Sequence, residues 1–289
     1  MSLLEYEIVT TKSMSAAQLE EVSQLAVICN EHDGIDLKIN PSMLTKRSGD
    51  YPEDFLCYAD NKLVGFLGLY IFHNKEAEVS GMVHPAHRRK GIFTGLQCAA
   101  EEECRKRGIP DLVFIVQKKA QSGAAYMQRI GARYEFSEYW MDLEKPAQVA
   151  LGHAVQLRPA TAADDETLIQ LNVLGFKLEE AMVREMAERM ANDPLNSTYL
   201  ILAEEREVGK ISVNREGQKA FIYGFCVHPD EQGKGYGRQA LAKTIELIQA
   251  EGFTDVSLEV ACENNRALGL YESCGFVVKS ANDYYRLAL

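Results

Sequence analysis

The sequence predicts an α/β class protein (α+β, mixed sheet): two tandem domains, each a mostly antiparallel mixed sheet flanked by helices. Three observations predict it. The chain has 289 residues, room for two domains of ordinary size. Val83-His84-Pro85 followed by Arg88-Arg89-Lys90-Gly91-Ile92-Phe93 reappears as Val227-His228-Pro229 followed by Gln232-Gly233-Lys234-Gly235-Tyr236-Gly237, an offset of 144 residues. Gly131 and Gly275, each just after a short helical pattern, keep the same offset. A period of half the chain is too long for a solenoid and fits a duplicated domain. The third observation is that both halves show the same order of strand and helix patterns. The expected domains are 1–145 and 154–289, joined by a linker at 146–153 that holds Pro146 and Gly152 and has no hydrophobic period.

Taken in order, residues 7–9 open the first half as a strand, and 16–30 read as helix. Residues 55–59, 63–72 and 76–83 read as strands, with Asn61-Lys62 as a turn between the first two. A helix is expected from 91 to 107, a buried strand at 111–117, a short helix at 122–130, and a closing strand or hairpin at 133–143. The second half begins with a strand at 154–158 and helices at 161–175 and 178–192, with Thr161 as a candidate N-cap. Strands follow at 198–203, 208–214 and 220–227, then a helix at 235–251 and a strand at 255–261. A helix at 264–274 and closing strands at 276–289 complete it.

Composition narrows the function. The net charge of −11 argues against a general nucleic-acid or anionic-membrane surface, because phosphate neutralisation needs clustered cations. Seven cysteines, odd in number and without a Cys-x-x-Cys pair, argue against a disulfide framework or zinc site and for a reducing compartment. The N-terminus lacks a basic region before an apolar run, and no apolar stretch reaches the length of a membrane span. A cytoplasmic location is expected, with no metal, no nucleic acid and no membrane partner. Oligomeric state is unreadable.

Gln232-Gly233-Lys234-Gly235-Tyr236-Gly237 lies between a strand and a long helix. Glycines let the backbone turn tightly and approach a ligand. The following helix start offers free N–H groups and the positive end of its dipole, a phosphate site. Lys234 and Arg238 would add charge at the rim. A Walker A loop is absent, and a dinucleotide turn belongs after the first strand of a βαβ unit rather than the fourth of a half. A helix start with nothing bound is the plainer alternative.

The pattern resembles the GNAT superfamily of acetyl-CoA-dependent N-acetyltransferases. Its acyl-CoA signature, Gln/Arg-x-x-Gly-x-Gly/Ala after a strand ending in Val-x-Pro, matches Val227, Pro229, Gln232, Gly235 and Gly237. Its second signature, Asn-x-x-Ala-x-x-x-Tyr-x-x-x-Gly-Phe, matches Asn264, Ala267, Tyr271, Gly275 and Phe276 at every spacing. The resemblance implies that the amides of Gly233 to Arg238 cradle the CoA pyrophosphate. It also implies that the strand ending Phe225-Cys226-Val227 splays from its neighbour, pairs with pantetheine and holds the acetyl carbonyl. An amine then attacks the thioester directly. The family often places a tyrosine where Tyr271 stands, to protonate the departing thiolate. A phenol is a competent donor because it keeps its proton at neutral pH, while a ring packed on the sheet is the structural alternative. The fourth strand carries no carboxylate, and Glu259 on the next strand is a candidate base or a solvated or paired acid. Cys226 reads as a small buried hydrophobe, and His84 and His228 as loop residues.

The first half departs from the signatures. Arg88 and Gly91 are kept, but Phe93 holds the small-residue position. Met82 and Val83 end the fourth strand, and the amides of Arg89, Lys90, Gly91, Ile92, Phe93 and Thr94 remain candidates for pyrophosphate. The triplet Arg88-Arg89-Lys90 would complement phosphates or form a solvated basic corner. Met127 stands 144 residues before Tyr271, and a thioether donates no proton. Tyr126, one helix position away, is expected to face elsewhere. Glu76 and Glu78 are candidate bases or exposed strand positions. The expected function is transfer of an acetyl group from acetyl-CoA to a primary amine of a small molecule or peptide, with the second half active. A non-catalytic acyl-CoA sensor or scaffold, and catalysis in the first half, are the alternatives. The family builds its acceptor cleft from elements corresponding to residues 168–192 and 281–284, which carry no acceptor code.

Overall fold

The structure is a computed structural model that describes residues 6–147, 155–190 and 193–289. The chain forms two compact units, and neither is a simple half of the sequence. One comprises the chain up to Ser137 together with Asn282–Leu289, and the other Glu138–Ala281. The division therefore differs from the expected 1–145 and 154–289, because each unit takes one strand segment from the other half of the chain. Most of the expected linker, residues 148–153, lies outside the described residues.

In the first unit β1 (Tyr6–Thr11), β2 (Asp54–Ala59), β3 (Lys62–His73) and β4 (Glu76–Val83) form an antiparallel meander. The β2–β3 turn uses Asp60 and Asn61 at positive φ (49° and 60°), which short polar side chains tolerate. Helix α1 (Ala16–Asp33) precedes β2 and starts on a Ser15–Gln18 capping box. A five-residue helix α2 (Pro41–Thr45), absent from the sequence reading, follows it. Helix α3 (Ile92–Lys106) carries the chain from β4 to β5 (Asp111–Gln117), so this pair is parallel, as a helical crossover requires. Helix α4 (Gln121–Ile130) follows.

The closing strands decide the unit boundaries. β6 (Arg133–Leu143) is one strand rather than a hairpin, and its residues Glu138–Asp142 pair antiparallel with β11 (Asp255–Ala261) of the second unit. β12 (Phe276–Ala288) is likewise one strand, and its residues Asn282–Ala288 pair antiparallel with β5 of the first unit. Arg286 fixes that register: its guanidinium bonds Glu76 at 2.6 Å, Asp111 at 2.8 Å and Glu135 at 3.0 Å.

The second unit repeats the plan with β7 (Val155–Pro159), β8 (Asn196–Ala203), β9 (Arg206–Glu216) and β10 (Lys219–Val227) antiparallel. Helices α5 (Asp165–Phe176) and α6 (Glu180–Met190) lie between β7 and β8, and α7 (Tyr236–Ala250) crosses to the parallel strand β11. Helix α8 (Asn265–Ser273) precedes β12. Before α5, the Asp164 carboxylate accepts from the Thr161 amide at 2.8 Å and its hydroxyl at 2.9 Å, so Thr161 does start the helical segment.

Alternation sets the cores. Leu67, Leu69, Val79 and Phe114 pack under α3 residues Leu96 and Ala100. Ile211, Val213, Ile222 and Leu258 pack under α7 residues Leu241 and Ile245. On the other face of the first sheet, Phe66, Tyr70 and Met82 pack with Val22, Leu25 and Cys29 of α1.

Candidate active site

In both units the parallel strand pair opens like a V. β10 and β11 pair from Lys219↔Asp255 to Ile222↔Leu258, yet β10 continues to Val227 and β11 to Ala261. β4 and β5 pair from Glu76↔Asp111 to Val79↔Phe114, and then run on to Val83 and Gln117. The last residues of each strand therefore present backbone groups to an opening, and such groups seek a partner.

A turn of the same shape follows each opening. His84 and His228 accept from the amides two residues on (3.2 and 3.3 Å) and cap short 3-10 turns at Pro85–His87 and Pro229–Glu231. Arg89 (φ 60°) then adopts the left-handed conformation that Gly233 (φ 81°) adopts in the second unit. Gly91 (φ 82°) and Gly235 (φ 83°) cap α3 and α7 without any side-chain hydrogen bond. The first amides of both helices stay open, and the turn and helix dipole together make an anion cradle.

The shared geometry of the turns is held by side chains that bond back to the strand ends. Gln232 Nε2 donates to the Val227 carbonyl at 3.0 Å, and Arg88 Nε to the Val83 carbonyl at 3.0 Å. Arg88 also grips Asp33 at 2.6 and 2.9 Å, which holds that carboxyl below its ordinary range. The Arg88 guanidinium thus tethers the end of α1 to the end of β4. Lys234 is paired with Glu231 at 2.7 Å, whereas Arg89 and Lys90 are exposed and make no ion pair among the described residues. Asn264 Oδ1 accepts from the Ala267 amide at 3.1 Å and caps α8. Ala120 precedes α4 and supplies no such cap.

The first unit holds a cleft of about 330 Å³ at its opening. Met82, Val83, Arg88, Arg89, Gly91, Ile92, Phe93 and Thr94 all line it, and Lys90 does not. Phe93 does not close it, because its partner is small. A Cβ on Gly81 would stand 3.0 Å from the Phe93 ring and 2.7 Å from the Phe66 carbonyl. In the second unit the sizes are reversed: Phe225 takes the place of Gly81, and a Cβ on Gly237 would stand 3.6 Å from the Phe225 ring. Bulk has moved from strand to helix and the opening is retained.

The reactive ends differ. Tyr271 is 8% exposed, packed by Phe225 and Phe276, and its hydroxyl makes no hydrogen bond among the described residues. Burial, helped by Cys226, pushes its pKa up to about 12, so the phenol keeps its proton. Met127 fills the same place in the first unit. Tyr126 also lines the cleft there, against expectation, but its hydroxyl is spent on Gln97 at 2.6 Å. Cys226 is buried and its thiol donates to the Leu171 carbonyl at 3.4 Å. Burial raises its pKa, which disfavours a thiolate nucleophile.

The candidate carboxylates are spread out. Glu259 pairs across from Trp140 of β6, on the face opposite Leu258 and Val260, whereas Tyr271 packs with those two. Acid and candidate base therefore stand on opposite faces of the sheet. Glu76 is bound by Arg286 and is a structural residue. Asn282–Tyr284 do not serve the second unit's acceptor side as expected, because strand exchange pairs them with β5. Trp140, 144 residues before Tyr284, takes that place and stacks on Phe221 at 5.4 Å.

Two features escaped the sequence reading. β10 has a bulge between Tyr223 and Cys226, with Gly224 at φ 55°, while β4 pairs with β3 without interruption from Val79 to Val83. Lys210 of β9 is 5% exposed and faces that bulge. The signals were an isolated glycine in a strand and a lysine in an apolar run. Among the described residues no group of three His, Cys, Asp or Glu is placed to hold a metal, and no helix is long and apolar enough to cross a membrane.

Each unit thus combines an opened parallel pair with an amide-lined turn, and the second adds a buried phenol beside the opening. The model of the acetyltransferase (GNAT) family matches residues 21–132 and 166–276, and the chain belongs to that family. It is an acyltransferase with tandem domains. Among similar proteins, the mycothiol acetyltransferase of Thermomonospora curvata is 27% identical and covers 98% of both chains. That of Clavibacter michiganensis is 28% identical over 74% of this chain and 72% of its own. The fold is shared with a GCN5-related N-acetyltransferase from Sphaerobacter thermophilus (TM-score 0.79, 19% identity, covering 98% and 95%). It is also shared with a tandem GNAT protein from the clavulanic acid biosynthesis pathway (TM-score 0.75, 18% identity, covering 98% of both).

Proposed function

We propose that the chain transfers an acetyl group from acetyl-CoA to an amine of a small molecule, and that transfer takes place in the second unit. The observation that carries this reading is Tyr271, a buried phenol that keeps its proton beside the open end of β10, where the first unit has Met127. The amides of Gly233 to Arg238 receive the pyrophosphate. The backbone edge from Phe225 to Val227 that β11 leaves uncovered receives pantetheine and orients the acyl carbonyl. The amine attacks that carbonyl, the C–S bond breaks, and the thiolate takes the Tyr271 proton. Glu259 faces the acceptor side and belongs to acceptor binding or proton removal.

The first unit holds a second acyl-CoA without transferring from it. Its 330 Å³ cleft, its turn of the same backbone shape and the unpaired Arg89 and Lys90 support binding. The relatives named mycothiol acetyltransferase support a small-molecule acceptor. A reducing cytoplasm is the setting that seven cysteines without a Cys-x-x-Cys pair suit.

Isothermal titration tests both statements. Two acetyl-CoA molecules per chain are expected. Gly235→Glu, which puts a carboxylate in the cradle, is expected to remove one binding event and all thiol release with amines. Thiol release that survives Gly235→Glu would move transfer to the first unit, and an absence of release with every amine would leave a sensor.

A further inference from the structure

Lys210 is buried in the second unit without a carboxylate beside it. Its side chain runs along β9, opposite Leu200 of β8 and Cys226 of β10. Its amino group lies 5.8 Å over the Phe176 ring at the end of α5. A Cβ on Gly224 would stand 2.9 Å from Nζ, so the bulge glycine leaves the space that the amine occupies. Nζ makes no hydrogen bond or ion pair among the described residues. The first unit has Phe66 at this place, fully buried in an apolar cluster. The amine is therefore specific to the unit that also carries Tyr271.

We propose that Lys210 is the proton acceptor of the second unit's site. This rests on the reading that this unit performs the transfer. Lys210 and Tyr271 both lie at the end of β10: Lys210 pairs across from Cys226, and Tyr271 packs on the ring of Phe225, the neighbouring residue. The groups facing the amine are few. β10 supplies the thiol of Cys226, which burial keeps protonated, and the bulge glycine Gly224. β9 supplies Ser212, α5 supplies Phe176, and β8 supplies Leu200. None is a carboxylate that would hold an ammonium ion there. Burial therefore lowers the Lys210 pKa and favours the neutral amine.

The proton balance closes. The incoming ammonium gives one proton to Lys210, and its nitrogen gains a free lone pair. That nitrogen forms the N–C bond as the C–S bond breaks. The thiolate takes the Tyr271 proton, and the phenolate is restored by the proton still carried on the new amide nitrogen. Lys210 returns its proton to water. No carboxylate on β10 is required, which agrees with the strand having none.

The test uses the full chain, with two substitutions and two readouts. Lysine side-chain NMR of the unliganded protein, with Lys210→Arg to identify the signal, is expected to show a titration below the ordinary value of about 10.4. A titration at that value would overturn the proposal. With a strongly basic amine at neutral pH, Lys210→Met is expected to lower kcat/KM roughly 100-fold or more. The acidic limb of its pH profile should move up toward the pKa of the amine, with acetyl-CoA affinity unchanged. A weakly basic amine, already free at neutral pH, should lose much less. Lys210→Met is expected to keep or raise the melting temperature, since it removes a buried amine that has no hydrogen-bond partner among the described residues. An unmoved profile, with turnover intact, overturns this proposal alone. Full activity in Lys210→Arg also overturns it and makes the site an anion anchor. An absence of turnover in the native chain with every amine overturns the functional reading, and this proposal with it.

Discussion

The two units share a backbone plan and differ where chemistry needs a proton. Each opens a parallel strand pair, each follows it with a turn whose second residue is left-handed, and each starts a helix on an uncapped glycine. At the reacting end the second unit has a phenol, a strand bulge and a buried lysine, where the first has a thioether, an unbroken ladder and a phenylalanine. The first unit's α1-side face is packed solid by Phe66, Tyr70 and Met82. The corresponding cluster in the second unit is smaller, with Leu171, Leu200 and Cys226 at its centre. The backbone shape is thus common to both units, and a few side chains at the opening set them apart.

Removing Asn282–Leu289 should break the comparison most severely. It takes a whole partner from β5, together with Tyr284 and the Arg286 cluster, and it takes nothing from β11. At about 1 kcal/mol per lost hydrogen bond, hydrogen exchange in Leu112–Val116 should speed up by roughly 100-fold or more, while α7 and β10 keep their protection. Equal loss in both units would show that they unfold together.

Tyr271→Phe should come next. It keeps the ring packing and removes the proton, so kcat is expected to fall by roughly 100-fold to 10,000-fold, with acetyl-CoA affinity unchanged. A rate within twofold of the native one would leave the phenol a packing residue and erase the chemical distinction between the units.

The smallest effect is expected at the turns. Arg89 holds a left-handed conformation that costs a residue with a Cβ about 1 kcal/mol, and its counterpart Gly233 does not pay it. Arg89→Gly should leave the first unit equally stable or up to about 1 kcal/mol more stable, measured by denaturant unfolding. A clear loss would mean that the arginine side chain packs on the turn. Acetyl-CoA binding by the first unit should weaken modestly, through loss of a rim cation.

Much of this was legible in residue order. The glycine turn, the Tyr271 position and the Met127 replacement follow from spacing, because helix and strand periods fix which side chains share a face. The Gly81–Phe93 and Phe225–Gly237 exchange was not legible. Phe93 read as a defect in a signature, and only contacts across the opening show that a glycine on the facing strand absorbs it. Arg88 read as part of a phosphate-binding triplet, and its partner Asp33 is 55 residues away. Asn264 read as one position of a signature, and its side chain caps α8.

By itself the sequence determined a duplication, two α/β units and the place of Tyr271 on the helix after β11. These are matters of local pattern, and local pattern is written in order along the chain. The tertiary structure decided that the last strand of each unit comes from the other half, since pairing partners are chosen by register and side-chain fit over long separations. It also decided that Lys210 is buried beside a bulge without a carboxylate. A lysine in a strand is ordinary in sequence, and its chemistry is set by what the fold places around it.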